Sequence, residues 1–251
     1  MKIAVLGMVG AASFVAAADA GFSGFVASVR NSGAYTVIDI FAGVQNASDK
    51  FLNVYNLNGS ATGGFYQQAG LLSKTWKPDA ASFASTRNSI DSFMTAGTYS
   101  GGAYGGEYYA STNTQGDPNF TGNSWSATPG SAAATTIPAN AGWYTTDPTS
   151  VDNTAESFAG LAGRVNGTVA STTVGGNAGT STSAAFGIWC AHLTVLGNNK
   201  VLGTDVQWSA FVSIKDGITG QTSQLSSSFI PAPGAIALLG VAGLASRRRR
   251  A

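Results

Sequence analysis

An all-β domain, an antiparallel β-sandwich or jelly roll, is the fold class this sequence predicts, flanked by an N-terminal signal helix and a C-terminal transmembrane helix. Three observations point there. Runs rich in β-branched and aromatic residues recur toward both ends of the body, at 34–57 and 185–214. No convincing amphipathic helix lies between them. The composition, with 33 glycines in 251 residues and only 10% charge, is that of neutral β-rich surface proteins rather than cytosolic enzymes.

Taken in order, residues 1–20 read as a secretory signal peptide, with Lys2 as its charged end and 3–18 as its apolar stretch. Ala18 and Ala20, around Asp19, form the small-residue site a signal peptidase cuts, so the body is expected at 21–229. That length suffices for one domain with a sizeable core. Residues 24–30 form a short strand and 34–45 (AYTVIDIFAGVQ) a longer one. A polar turn at 46–50 and a strand at 51–57 make 34–57 a predicted hairpin. Residues 65–67 and 89–97 are further strand candidates, and 79–88 a helical turn or loop. From 98 to 153, glycine pairs and Pro118, Pro129, Pro138 and Pro148 read as loop. An unbroken loop of that length is improbable in a compact domain, so short edge strands are expected inside it. A polar run at 170–184 reads as flexible loop. The buried strand at 185–196 (AFGIWCAHLTVL), a turn at 197–200 and a return strand at 201–214 then make a second predicted hairpin, followed by a polar spacer at 223–228.

The tail, 230–251, has three parts. Pro231, Ala232, Pro233 and Gly234 stop any helix from running back into the body. Residues 235–245 are apolar on every side, which suits lipid. At about 1.5 Å per residue, 232–246 reaches roughly 22 Å against a hydrocarbon core of roughly 30 Å, so bilayer thinning or snorkelling is needed. Arg247, Arg248, Arg249 and Arg250 hold the terminus on the cytoplasmic side and turn the body outward. This order resembles the PEP-CTERM tail of exosortase-sorted bacterial proteins, with Ala232 where the type motif has Glu. It is similar to the Pro-Ala-Pro-Gly variant of planctomycete-type secreted proteins, and the body loosely resembles uncharacterised members of that group. The resemblance implies an exosortase-like processing enzyme, transient anchoring in the inner membrane and delivery to the cell surface or matrix, often with glycosylation.

Without both ends, the 13 basic and 12 acidic residues become 8 and 11, because Lys2, the four terminal arginines and Asp19 are lost. The body is mildly acidic, and nucleic acid is not an expected partner. The lone Cys190 excludes an internal disulfide. The lone His192, two residues on, is expected to share its face of the strand, as a core histidine beside a small buried thiol.

Paired carboxylates for glycoside hydrolysis would have to come from Glu107 and Glu156 in loop-like sequence, or from Asp39, Asp91 and Asp205 on predicted strands. Nothing brings any pair together, so no enzyme is expected. Asp147, Asp152 and Asn153 offer the hard oxygens calcium takes, or else Asx turns. Tyr104, Tyr108, Tyr109, Trp125, Trp143 and Tyr144, set among Gly, Asn and Thr, are able either to stack on polysaccharide or to pin loops to the body. Asn46, Asn58, Asn119 and Asn166 head Asn-x-Ser/Thr tripeptides and read first as turn residues. A surface or matrix protein with a structural or adhesive role is the resulting expectation, with a polysaccharide-binding module second and a secreted glycoside hydrolase third.

Overall fold

The computed structural model describes residues 22–68, 75–78, 86–99, 109–111, 113–117, 130–149, 155–157, 168–171 and 186–228. The expected signal helix at 1–20 and transmembrane helix at 230–251 lie outside them. The described residues are all β, without a helix. In order they form β1 (Phe22–Ser32), β2 (Tyr35–Val44), β3 (Lys50–Phe65), β4 (Phe93–Met94), β5 (Thr98–Tyr99), β6 (Tyr109–Ala110) and β7 (Thr114–Gly116). There follow β8 (Ala134–Thr136), β9 (Ala141–Thr145), β10 (Glu156–Ser157), β11 (Thr168–Ser171), β12 (Phe186–Leu196), β13 (Val206–Lys215) and β14 (Thr222–Ser228). Twelve strands share one antiparallel sheet whose main path is β11-β1-β2-β12-β3-β13-β14, while β5 and β6 pair separately.

The first turn is Gly33-Ala34, joining β1 to β2 in a two-residue hairpin with Ser32 opposite Tyr35. Gly33 takes φ +59°, the left-handed conformation such a turn demands and glycine supplies without steric cost. The two expected hairpins are corrected. β2 runs beside β12 from Tyr35↔Leu196 to Val44↔Phe186, and β12 therefore lies between β2 and β3. Likewise β3, not β12, is the neighbour of β13. Alternation reports which faces of a strand are buried; it carries no information about which strand lies alongside. The return strand also starts later, at Val206, because 203–205 form a turn. Asp205 accepts from the Val201 N–H at 3.0 Å in that turn. The polar spacer at 223–228 is β14, paired with β13 along its length. Ala170 and Ser171, expected in flexible loop, belong to β11. Short strands β5 to β9 do lie inside the stretch read as loop.

The sheet curls into a half-barrel that brings β14 toward β1: the Phe25 N–H donates to Ser227 Oγ at 3.4 Å. Inside, the Phe25 ring meets Trp208 edge-on at 5.7 Å, and Trp208 meets Trp143 at 6.0 Å. Trp143 and Trp208 are at most 1% exposed. Burying a large apolar side chain this fully stabilises by roughly 1.5–3 kcal/mol.

The two arms of the sheet differ. β13 alternates buried and exposed along most of its length, since one face meets the core and the other solvent. β2 and β12 are buried on both faces, with Ile38, Ile40, Cys190 and Leu193 turned to the core. On their other side Phe41 and Trp189 pack with Phe93 and Ala110 from the covering segments. Double coverage explains why both strands read as nearly continuous apolar runs.

Candidate functional site

One row of the ladder brings a serine and an aspartate beside the chain's single imidazole. Ser28 on β1 lies opposite Asp39 on β2, Asp39 opposite His192 on β12, and His192 opposite Phe93 on β4. The register shifts between Trp189 and Ala191, a bulge that adds one residue to β12. That extra residue breaks the period of two. Cys190 turns into the main core, whereas His192 turns outward with Trp189, at 5.9 Å edge-on. The expectation that Cys190 and His192 share a face is therefore overturned.

His192 Nδ1 stands 2.6 Å from Asp39 Oδ1, and both side chains are fully buried. His192 Nε2 stands 3.1 Å from the Ser89 carbonyl oxygen and 3.4 Å from Ser89 Oγ. The Phe93 ring stacks on the imidazole at 5.0 Å. Over the neighbouring rings lies the Arg87 guanidinium, 5.0 Å from Phe41 and 4.8 Å from Trp189. Arg30 donates to the Arg87 carbonyl; burial lowers its guanidinium below the ordinary value, and the Asp39 charge opposes that shift.

Serine, histidine and aspartate thus meet, but not as a nucleophile with its base. The Ser89 hydroxyl donates to the Thr86 carbonyl at 2.8 Å. His192 Nε2 also lies nearer the Ser89 carbonyl oxygen than the Ser89 hydroxyl, whose hydrogen is directed to Thr86. The imidazole has no solvent exposure through which a substrate could approach. Sequence alone could not pair Asp39 with His192, which lie 153 residues apart. Burial pushes the Cys190 thiol far above its ordinary value, which keeps it un-ionised and unreactive.

Of the other expected residues, Asp91 is buried and accepts from the Gln68 N–H at 3.0 Å; it precedes β4 rather than lying on a strand. Glu107 lies outside the described residues, and of Glu156 only the backbone, in β10, is described. Asp147 Oδ1 accepts from Thr149 N–H at 3.0 Å and Oγ1 at 2.6 Å, closing its own Asx turn. Asp152 and Asn153 lie outside the described residues, among which no three His, Cys, Asp or Glu side chains gather to hold a metal. Tyr109 and Trp143 are buried, and the Trp143 indole donates to the Thr95 carbonyl at 2.7 Å. Their rings pin the covering segments to the core. Tyr144 is 48% exposed, while Tyr104, Tyr108 and Trp125 lie outside the described residues, as do Asn119, Asn166 and the cleavage and sorting motifs. Asn46 sits in the turn after β2, but Asn58 is an exposed residue inside β3.

The open face lies on the other arm. On the solvent side of β3, β13 and β14, Tyr55, Phe211 and Ser226 form one cross-strand row, and Asn58, Ser209 and Ser228 the next. Tyr55 and Phe211 stack at 5.3 Å with 24° between planes. Beside them runs an open groove of about 640 Å³, edged also by Asn56 and Asn140. In comparisons with protein-family models, curated proteins and solved structures, none matches this chain. The fold and its sites define a curled, antiparallel all-β protein with its imidazole and thiol sealed inside and an open groove whose lining carries no charge.

Proposed function

We propose that this chain is an exported protein, sorted by its C-terminal tail to the cell surface or extracellular matrix, where it has a structural or adhesive role and no catalytic one. One observation supports the non-catalytic half above all: His192 and Cys190, the chain's single imidazole and thiol, are both fully buried in the sheet. The sorting half is supported by the sequence of the two ends. Signal peptidase acts at Ala20, the 235–245 helix anchors the chain transiently in the inner membrane, and an exosortase-like enzyme acts near Pro231. In fold terms, the arms β1-β2-β12 and β3-β13-β14 are the facing layers of a β-sandwich.

The test is the intact mass of the protein extracted from its native cell envelope. A species starting near Gly21 and ending near Pro231, with or without added sugar mass, is expected. A species that retains Arg247 to Arg250, or native protein free in the cytoplasm, would overturn the sorting reading.

A further inference from the structure

We infer that the groove on the solvent face of β3, β13 and β14 is a binding site for a neutral polysaccharide, with the Phe211 ring, backed by Tyr55, as its stacking surface. Asn56, Asn58, Asn140, Ser209, Ser226 and Phe211 supply amides, hydroxyls and one aromatic face, and no lining side chain carries a charge. Recognition of phosphate, carboxylate or sulfate relies on charge-assisted hydrogen bonds from Arg or Lys, and this lining offers none. Amides both donate and accept, as sugar hydroxyls do.

The stacking surface is exposed where aromatic rings are ordinarily hidden. Phe211 is 39% exposed, and its ring lies nearly parallel to that of Tyr55, whose hydroxyl donates to Gln224 Oε1 at 3.4 Å. Tyr55 stacks against one side of the Phe211 ring from the adjacent strand, and the rest of that ring is the flat apolar surface presented to the groove it lines. A pyranose presents a flat apolar face of similar size with hydroxyls around its edge. The groove's 640 Å³ falls within the roughly 300–1,000 Å³ usual for ligand sites. Tyr144 continues the same exposed face, because it lies opposite Asn53 on the far edge of β3.

The backbone is shaped for the amides. Asn56 and Asn140 take φ +49° and +60°, the left-handed region that side chains other than glycine seldom enter. Asn56 sits at a bulge, since the register shifts between the Ser209 and Phe211 positions, and the Asn58 amide donates to the Asn56 carbonyl at 3.2 Å. Asn140 is held by its N–H bond to the Leu57 carbonyl at 3.0 Å. Two left-handed asparagines bracketing one groove hold their amides in place without a flexible loop.

Affinity electrophoresis of the full chain through gels containing hydroxyethyl cellulose, dextran or galactomannan tests the site, with acidic alginate as the contrast. Retardation by at least one neutral polymer is expected. Phe211→Ala should weaken it roughly tenfold or more, as loss of a central aromatic contact does. Asn140→Gly keeps the left-handed backbone and removes only the amide, so it should weaken binding while the melting temperature stays close to the parent's. Ile218→Ala, at the exposed turn after β13, should change nothing. The inference is overturned if no neutral polymer retards the chain, if alginate alone does, or if Phe211→Ala and Asn140→Gly are both retarded as strongly as the parent. None of these outcomes alters the mass of the envelope-extracted protein, so the site and the sorting reading fail separately.

Discussion

Removing the His192 imidazole would leave Asp39 fully buried and without its partner, and Asp39 Oδ2 has no hydrogen-bond partner among the described residues. Breaking one side of a buried pair costs about 3–5 kcal/mol, because the remaining charge cannot return to water. His192→Ala should therefore lower unfolding free energy in urea by about that amount; a loss below about 1 kcal/mol would show that the pair does not act as a structural node. Cys190 gives a complementary expectation. Its raised thiol value and complete burial predict no labelling by a thiol reagent at neutral pH until the chain is unfolded. Asp216 supplies a pH dependence. The N–H groups of Thr219 and Ile218, each 2.7 Å from Asp216 Oδ1, hold its carboxyl below the ordinary 3.8. A lowered folded value stabilises the fold above the unfolded value, and this stabilisation is lost as pH falls through the folded one. Asp216→Asn should thus be less stable than the parent at pH 7, and the gap should narrow below about pH 4.

At the scale of elements, β14 separates a strand from a spacer. Its seven residues are polar except Leu225, which the sequence presents as a solvated run before the tail. The structure turns Leu225 onto the core opposite Val212. Leu225→Ala should cost about 1–2 kcal/mol in a thermal or urea melt, less than a fully buried leucine because the residue is only partly covered. A true spacer would lose nothing. The case shows what was legible. β2 and β12 announced themselves because burial on both faces forces apolar residues at every position. β14 did not, since its outer face needs no apolar residue and its inner face is filled by Ser227 and Ser223 as well as Leu225. The groove was illegible for a related reason: Asn58, Phe211 and Ser226 are ordinary residues until three strands place them side by side. The bulge at Cys190 was equally silent, as nothing in Ile188-Trp189-Cys190-Ala191 marks an inserted residue.

For the whole molecule, the decisive feature is the late arrival of a central strand. β12 starts at Phe186, yet it lies between β2, which ends at Val44, and β3, which starts at Lys50. Until β12 is in place, β2 has no neighbour on one edge, Asp39 has no imidazole and the Phe41 face lacks Trp189. The sheet therefore cannot grow from the N-terminus hairpin by hairpin. Such long-range pairing must overcome loop-closure entropy before its contacts form, which makes folding slow and the transition cooperative. A chain ending at residue 185 should then show no cooperative melt by circular dichroism and no amides protected from exchange in β2. A chain ending at residue 221 lacks, among the described strands, only β14, the last along the path, and should melt cooperatively at a lower temperature. Protection of β2 amides in the shorter chain would mean that β1 and β2 form a stable unit alone, and that β12 merely docks on a finished sheet. Burial on both faces of β2 argues otherwise, because an isolated β1–β2 hairpin would expose Val37, Ile38, Ile40 and Phe41 to water at once.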